Sequence, residues 1–254
     1  EKQLSFDDQL VLFHYFLQEL KIDSLVSLGR ELNHPSYEGR NENGNTYFYE
    51  YIARLCRMRG GSIPTEKLRL YDENICRHTQ RIQEKRGALR WKYFQYVALL
   101  FTERYLDRYF ADPEGFCRDL NAWLRRRRNE TLGQLDFAPY TVDKLNKLAF
   151  MCATGSGKTL LMHANILQFQ SYLRRARRLN SRRAINQVIV LAPNEVVGRQ
   201  HLEELERSSI PAALFEKGQS LDRNGVLVID INKFKEEDGV KTVAVDSFEK
   251  NNLV

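Results

Sequence analysis

The sequence predicts an α/β protein in which a mainly helical N-terminal region precedes a parallel β-sheet covered by helices. Three observations support this prediction. Apolar residues recur at helical spacing through the first half, short runs rich in valine and isoleucine alternate with helical segments after residue 146, and a glycine-containing turn follows the first of these runs. With 254 residues and 43% hydrophobic content, the chain can form one large domain or two modest ones.

Amphipathic helical patterns fill the first half, because apolar residues recur three and four positions apart. A polar, turn-rich link interrupts them at residues 34–45, and Gly60 with Gly61 ends a second pattern. Asp112 before Pro113 is a typical helix start, with an N-cap carboxylate and a proline in the first turn. The expected helices lie at residues 4–20, 46–58, 71–85, 88–110 and 112–128.

Strand and helix patterns alternate in the second half. The expected strands are residues 147–151, 187–193, 225–234 and 242–248, with a shorter apolar piece at residues 211–218. Helical segments at residues 159–179 and 194–208 separate the first three strands. This alternation is typical of βαβ units, whose right-handed crossovers bring the strand-to-helix turns to one edge of a parallel sheet, where ligands bind.

The segment FMCATGSGKTLLMHANIL, residues 150–167, has the pattern of a phosphate-binding loop between a strand and a helix. Such a loop needs a tight turn whose backbone N–H groups converge on an anion, which favours glycine, here Gly155 and Gly157. Lys158 would reach the β- and γ-phosphates, and the Thr159 hydroxyl would ligate Mg²⁺ at the helix start. The usual pattern has glycine or alanine at the position of Cys152, which is a small departure.

The loop sequence ATGSGKT resembles the phosphate loop of helicases and translocases of superfamily 2, the DEAD/DEAH-type proteins. Three further segments resemble the same family. Residues 187–205 resemble motif Ia of that family. GVLVIDINKF resembles the strand that ends in a Gln-Lys-Phe-like triplet in the motor subunits of type I and type III restriction enzymes, with Asn232 in place of glutamine. RWKYFQYVALL resembles the arginine-tyrosine-glutamine segment of the same enzymes, which makes Gln95 the candidate adenine reader.

The resemblance implies a motor that uses ATP and Mg²⁺. Its fold would be a helical region at residues 1–87 followed by an incomplete first RecA-like motor domain at residues 88–254, with a helical insertion at about residues 111–145. Lys158 and Thr159 would serve catalysis, and Thr159 would be the metal ligand. The residues implied in ATP binding are Gln95, Thr154, Gly155, Ser156, Gly157, Lys158 and Thr159.

The motif-Ia-like segment supplies the candidate nucleic-acid residues Asn194, Arg199 and Gln200. Asn194 could cap the helix while neighbouring backbone N–H groups bind a nucleic-acid phosphate, and Arg199 and Gln200 would add to this contact. The alternative for these residues is a capping asparagine on a solvated polar face. For Gln95 the alternative to adenine reading is an ordinary glutamine on a helix surface.

The resemblance also implies parts that the sequence does not contain. ATP hydrolysis in this family needs an acidic segment such as Asp-Glu-x-His, expected from about residue 252 onward, and a second motor domain that supplies arginine fingers. We therefore expect an N-terminal fragment that by itself binds nucleotide weakly and hydrolyses almost nothing.

The leading expectation is an ATP-dependent motor acting on duplex DNA in a bacterial restriction or anti-phage system, whose partners could include other subunits. Two alternatives stay open: another P-loop NTPase, and a catalytically silent nucleotide-sensing or DNA-binding scaffold.

Composition fits nucleic-acid binding without proving it. The net charge is +6, and arginines crowd at residues 125–128 and 174–183, which could face phosphate or form solvated helix ends. The cysteines lie far apart without a CxxC pair, which favours a reducing cytoplasm over a disulfide framework; they are Cys56, Cys76, Cys117 and Cys152. No apolar run is long enough to cross a membrane.

Overall fold

A computed structural model describes residues 5–131, 135, 137–179, 188–216, 225–235 and 243–244. The chain divides into two compact units. The first combines residues 1–76 with 90–158, and the second combines residues 77–89 with 159–254. These units are groups of residues in mutual contact, and the domain division expected at residues 87 and 88 stays a prediction.

Helices make up most of the first half of the chain, as predicted. They are α1 (Val11–Leu20), α2 (Leu25–Leu32), α3 (Tyr47–Met58), α4 (Thr65–Arg86), α5 (Tyr93–Ala111) and α6 (Pro113–Glu130). The predicted cap of α6 is confirmed, since the Asp112 carboxylate accepts a hydrogen bond from the Gly115 N–H at 2.8 Å.

Helices α1, α4 and α5 begin at other residues than predicted, α1 at Val11 rather than residue 4, and α2 was not predicted. Helix α4 begins at Thr65 rather than near Tyr71, because the Pro64 carbonyl accepts the first helical hydrogen bonds. Gly87, with φ +87°, follows the end of α4, and α5 then begins at Tyr93 rather than residue 88. The unpredicted helix α2 is held by a reciprocal cap in which Ser24 and Ser27 each bond the other's backbone N–H.

Aromatic side chains form the core of the first unit. Phe116 of α6 is fully buried and meets Phe16 of α1 at 6.3 Å and Tyr105 of α5 at 5.4 Å between ring centroids. An ion pair between Glu19 and Arg104, 2.9 Å between Oε2 and Nε, joins α1 to α5 with both side chains about one-tenth exposed. These helices therefore bury their aromatic faces against each other.

A parallel sheet organises the second unit, which confirms the predicted α/β class. Strands β1 (Val188–Ala192), β2 (Ala212–Leu214) and β3 (Val226–Asp230) lie in the order β1-β3-β2. Short strands β4 (Phe234–Lys235) and β5 (Val243–Ala244) form a second parallel pair. The accompanying helices are α7 (Lys158–Leu179) and α8 (Glu195–Arg207). Strand β3 is the buried centre, with Val226 to Ile229 at most 4% exposed, as a strand paired on both sides should be.

Polar side chains join the end of α4 to α7 and α8 within the second unit. Arg86 of α4 pairs with Glu204 at 2.7 Å, and its Nε donates to the Ser208 hydroxyl at 3.2 Å. Nδ1 of His163, on α7, lies 2.8 Å from the same hydroxyl. Burial lowers the pKa of His163 to about 4, so the imidazole is neutral at pH 7.

The predicted strand at residues 147–151 is wrong. These residues have no regular secondary structure, and Phe150 and Met151 are 44% and 72% exposed. A strand requires a hydrogen-bonded neighbour, and no strand in the described part of the chain pairs with this run. The run therefore leads into the following loop without regular structure, and its apolar side chains are exposed.

Candidate functional site

The segment at residues 153–158 forms the tight turn that a phosphate loop requires. The Ser156 N–H donates to the Ala153 carbonyl at 3.2 Å, which closes the turn. Gly155 and Gly157 have φ of +76° and +82°, values that side-chain-bearing residues rarely adopt. Helix α7 begins at the next residue, Lys158, so the predicted helix after the loop is confirmed.

The end of this turn presents donors suited to an anion. The N-terminus of α7 carries unpaired backbone N–H groups and the positive end of the helix dipole. The exposed Lys158 ammonium donates to the carbonyls of Ala153 at 3.0 Å and Cys152 at 3.4 Å, and no carboxylate of the described residues pairs with it. Thr159 follows it, half-buried in the first turn of α7.

Ser156 has a buried hydroxyl with no hydrogen-bond partner among the described residues. A buried hydroxyl without a partner carries a desolvation cost, so a ligand that accepts its hydrogen bond would be favoured. Thr154 and Gly155, by contrast, are exposed on the outside of the turn.

Gln95 lies against the loop although 61 positions separate it from Ser156. Its Nε2 donates to the Ser156 carbonyl at 2.8 Å, and its Oε1 accepts from the Lys92 N–H at 2.8 Å. A Cβ added at Gly157 would stand 2.5 Å from Gln95 Nε2. The carboxamide therefore supports the turn, and it keeps one N–H and one oxygen lone pair for another partner.

The carboxyl ends of β1 and β3 meet in the second unit, because the parallel register pairs Ala192 with Asp230. Asn194, just beyond β1, accepts the Val197 N–H at 2.9 Å and so caps α8. Beyond β3, the Asn232 amide donates to the Asp230 carboxylate at 2.9 Å and to the Pro193 carbonyl at 3.3 Å. This amide links two strand ends that are 39 positions apart.

Arg199 and Gln200 lie exposed on the first turns of α8. Arg199 donates to Glu195 on the same helix at 2.7 Å, and this hydrogen bond is the main cause of the lowered pKa of Glu195. The structure thus shows a capping asparagine and a locally paired arginine, and contact of these residues with nucleic acid stays a prediction.

The structure adds two connections to the residues that the sequence singled out. Gln95, Ser156, Gly157 and Lys158 come together in the first unit, and the Gln95 contact with the loop gave no signal in the sequence. The Asp230–Asn232–Pro193 connection was also missed, although both segments were recognised as strand ends. Within the described ranges, no group of three or more His, Cys, Asp or Glu side chains could hold a metal ion.

Comparison with known proteins assigns the family. A family model described as "Type III restriction enzyme, res subunit" matches residues 115–252, more than half of the chain, including the loop and the strands β1 to β5 of the described residues but not Gln95. No curated protein and no solved structure gives a significant match. None of the described helices is both long and apolar enough to span a membrane. The chain belongs to the ResIII family, a group of helicase-like ATPases of superfamily 2.

Proposed function

We propose that this protein is an ATP-dependent translocase or helicase that acts on duplex DNA in a bacterial restriction or anti-phage system. The observation that carries the proposal is the turn at residues 153–158, closed by two positive-φ glycines at the N-terminus of a 22-residue helix. Membership of the ResIII family supports the ATPase part. Family membership does not establish the remaining parts of the proposal, which are the DNA substrate, the defence setting and any partner subunits.

The loop residues fit the triphosphate of ATP. Among the described residues the Ser156 hydroxyl has no hydrogen-bond partner and Lys158 has no carboxylate partner, and both favour a bound anion at the exposed N-terminus of α7. In the proposed site, Lys158 exchanges its two carbonyl partners for phosphate oxygens, and the Thr159 hydroxyl contributes to Mg²⁺ binding. Hydrolysis of the bound ATP supplies the free energy for movement.

Gln95 would combine two roles in this site. Its hydrogen bond to Ser156 holds the turn, while the remaining N–H and lone pair match the donor and acceptor on the adenine edge. A base that hydrogen-bonds to the Gln95 carboxamide would therefore contact the same residue that stabilises the phosphate turn.

For nucleic acid, the proposed contact is the start of α8. The Asn194 cap leaves neighbouring backbone N–H groups free to meet a phosphate, and Gln200 adds a polar side chain. Arg199 must first leave Glu195, but both side chains of this ion pair are more than half exposed. Such exposed pairs contribute about 1 kcal/mol or less, so a DNA phosphate can compete for the arginine.

The test is ATP hydrolysis by the full-length protein with and without duplex DNA. We expect DNA to stimulate hydrolysis and Lys158→Ala to abolish it, whereas Lys147→Ala, which removes an exposed lysine before the loop, should leave the rate unchanged. Hydrolysis indifferent to DNA would indicate another P-loop NTPase. Nucleotide binding without hydrolysis would indicate a sensor or scaffold instead.

A further inference from the structure

A cavity of about 510 Å³ opens in the first unit, where α1, α3 and α6 end. It lies within the size range of small-ligand sites. Its lining includes the apolar side chains of Leu17, Ile22 and Trp123, each about 5% exposed or less. The indole N–H of Trp123 donates to the Gln18 carboxamide, which also lines the cavity. These three side chains thus form the apolar part of a mainly polar lining.

Four cationic side chains line the same cavity. Two of them are paired: Arg59 with Asp23 at 2.9 Å and Arg127 with Glu130 at 3.1 Å. The other two, Lys21 and Arg126, are exposed and have no hydrogen-bonded or ion-paired partner among the described residues. The lining therefore carries two positive charges that its own carboxylates do not neutralise.

A simpler explanation is that these cations complement helix dipoles, because α1, α3 and α6 all end here. That explanation predicts that basic residues in the same turn at a helix end act alike, whether or not they line the cavity. Arg125 and Arg126 are neighbours in the same turn of α6, and both are exposed, yet only Arg126 lines the cavity. Substitution of Arg125 and of Arg126 can therefore distinguish a general helix-end effect from a binding site in the cavity.

We propose that this cavity is a second anion site, which binds a phosphate-bearing ligand through Lys21 and Arg126, with Leu17, Ile22 and Trp123 as the apolar part of its lining. The phosphate could belong to a nucleic-acid backbone or to a free nucleotide. The site would act independently of the loop at residues 153–158 and does not require the proposed motor function.

The first arm of the test measures nucleic-acid binding by the full-length protein without ATP. Fluorescence anisotropy with a labelled duplex of about 25 base pairs gives the slope of log K against log salt, and each lost phosphate contact reduces that slope by about 0.9. The Lys21→Ala/Arg126→Ala double variant should reduce it by about 1.8. Arg125→Ala should leave it unchanged, and Lys21→Arg should retain the wild-type slope.

The second arm titrates cytidine monophosphate by calorimetry, since it lacks the β- and γ-phosphates that the loop would take. Saturable binding that the double variant loses and Arg125→Ala keeps would identify a free nucleotide as the source of the phosphate. A reduced salt slope without such binding would identify the nucleic-acid backbone.

The proposal is overturned if the double variant, with an unchanged thermal midpoint, alters neither measurement. It is also overturned if Arg125→Ala has the same effect as Arg126→Ala, because the cations would then act only through the helix ends and general charge.

Discussion

Alanine at Gly157 should weaken nucleotide binding more than alanine at Gly155. Both glycines have nearly the same positive φ, 76° and 82°, so the backbone strain of a side chain is about equal at the two positions. Their surroundings differ. A Cβ at Gly155 would meet no atom of the described residues within 4 Å, whereas a Cβ at Gly157 would stand 2.5 Å from Gln95 Nε2. The two substitutions therefore form a matched pair.

The expected magnitudes follow from these contacts. An L-residue in this left-handed region costs about 1–2 kcal/mol, which corresponds to an affinity loss of about 5- to 30-fold if nucleotide requires the turn. At Gly157 the Gln95 side chain must also move, and it loses its hydrogen bond to Ser156. That loss adds about 1 kcal/mol, or about a further fivefold.

The assay is equilibrium binding of a fluorescent ATP analogue to the wild type, Gly155→Ala and Gly157→Ala, each with and without Gln95→Ala. In the Gln95→Ala background the two glycine substitutions should become equal, because the side chain that distinguishes them is gone. Equal effects in the presence of Gln95 would refute the inferred contact between Gln95 and the turn.

Three further predictions concern other parts of the chain. His163 has a folded pKa near 4, below its unfolded value of 6.5, so its contribution to stability is complete above pH 6.5 and is lost as the pH falls toward 4. His163→Gln should reduce the pH dependence of the free energy of unfolding in that window by up to about 1.4 kcal/mol per pH unit; an unchanged slope would contradict burial of the neutral ring. Glu19→Ala should lower the free energy of unfolding by about 3–5 kcal/mol, because Arg104 is left buried without its partner. Glu73→Ala, at an exposed pair, should change it by less than about 1 kcal/mol in the same denaturant titration, and similar losses at both sites would refute this reasoning. Under native conditions iodoacetamide should label Cys152 first, since the other three cysteines are buried, and ATP should slow the reaction in a peptide map; faster labelling of a buried cysteine would count against the fold of the first unit.

The helices were predictable because their signal is local. Periodic apolar residues and the Asp112 cap are visible in a few consecutive letters, and α6 formed as expected. The run at residues 147–151 shows the limit of this approach. Its apolar composition suits a buried strand, but strand formation depends on a partner elsewhere in the chain, which composition does not report.

For the candidate site, the same distinction holds. The sequence alone predicted a tight turn that needs glycine at residues 155 and 157, and the positive φ of Gly155 and Gly157 agrees with that turn. The hydrogen bond from Gln95 to Ser156 spans 61 positions and depends on how α5 packs. A resemblance directed attention to Gln95, but only the structure indicates that its carboxamide braces the turn.

The interleaving of the two compact units has a consequence for how the chain can be cut and how it is synthesised. Each unit combines an early and a late segment, so a cut near residue 80 interrupts both units, and a cut near residue 158 separates the two segments of the second unit. A nascent chain that ends before α5 and α6 would leave the aromatic face of α1 exposed on the ribosome. Separating a helical half from a sheet half would therefore leave the second unit without residues 77–89, so truncations should be confined to the two ends of the chain.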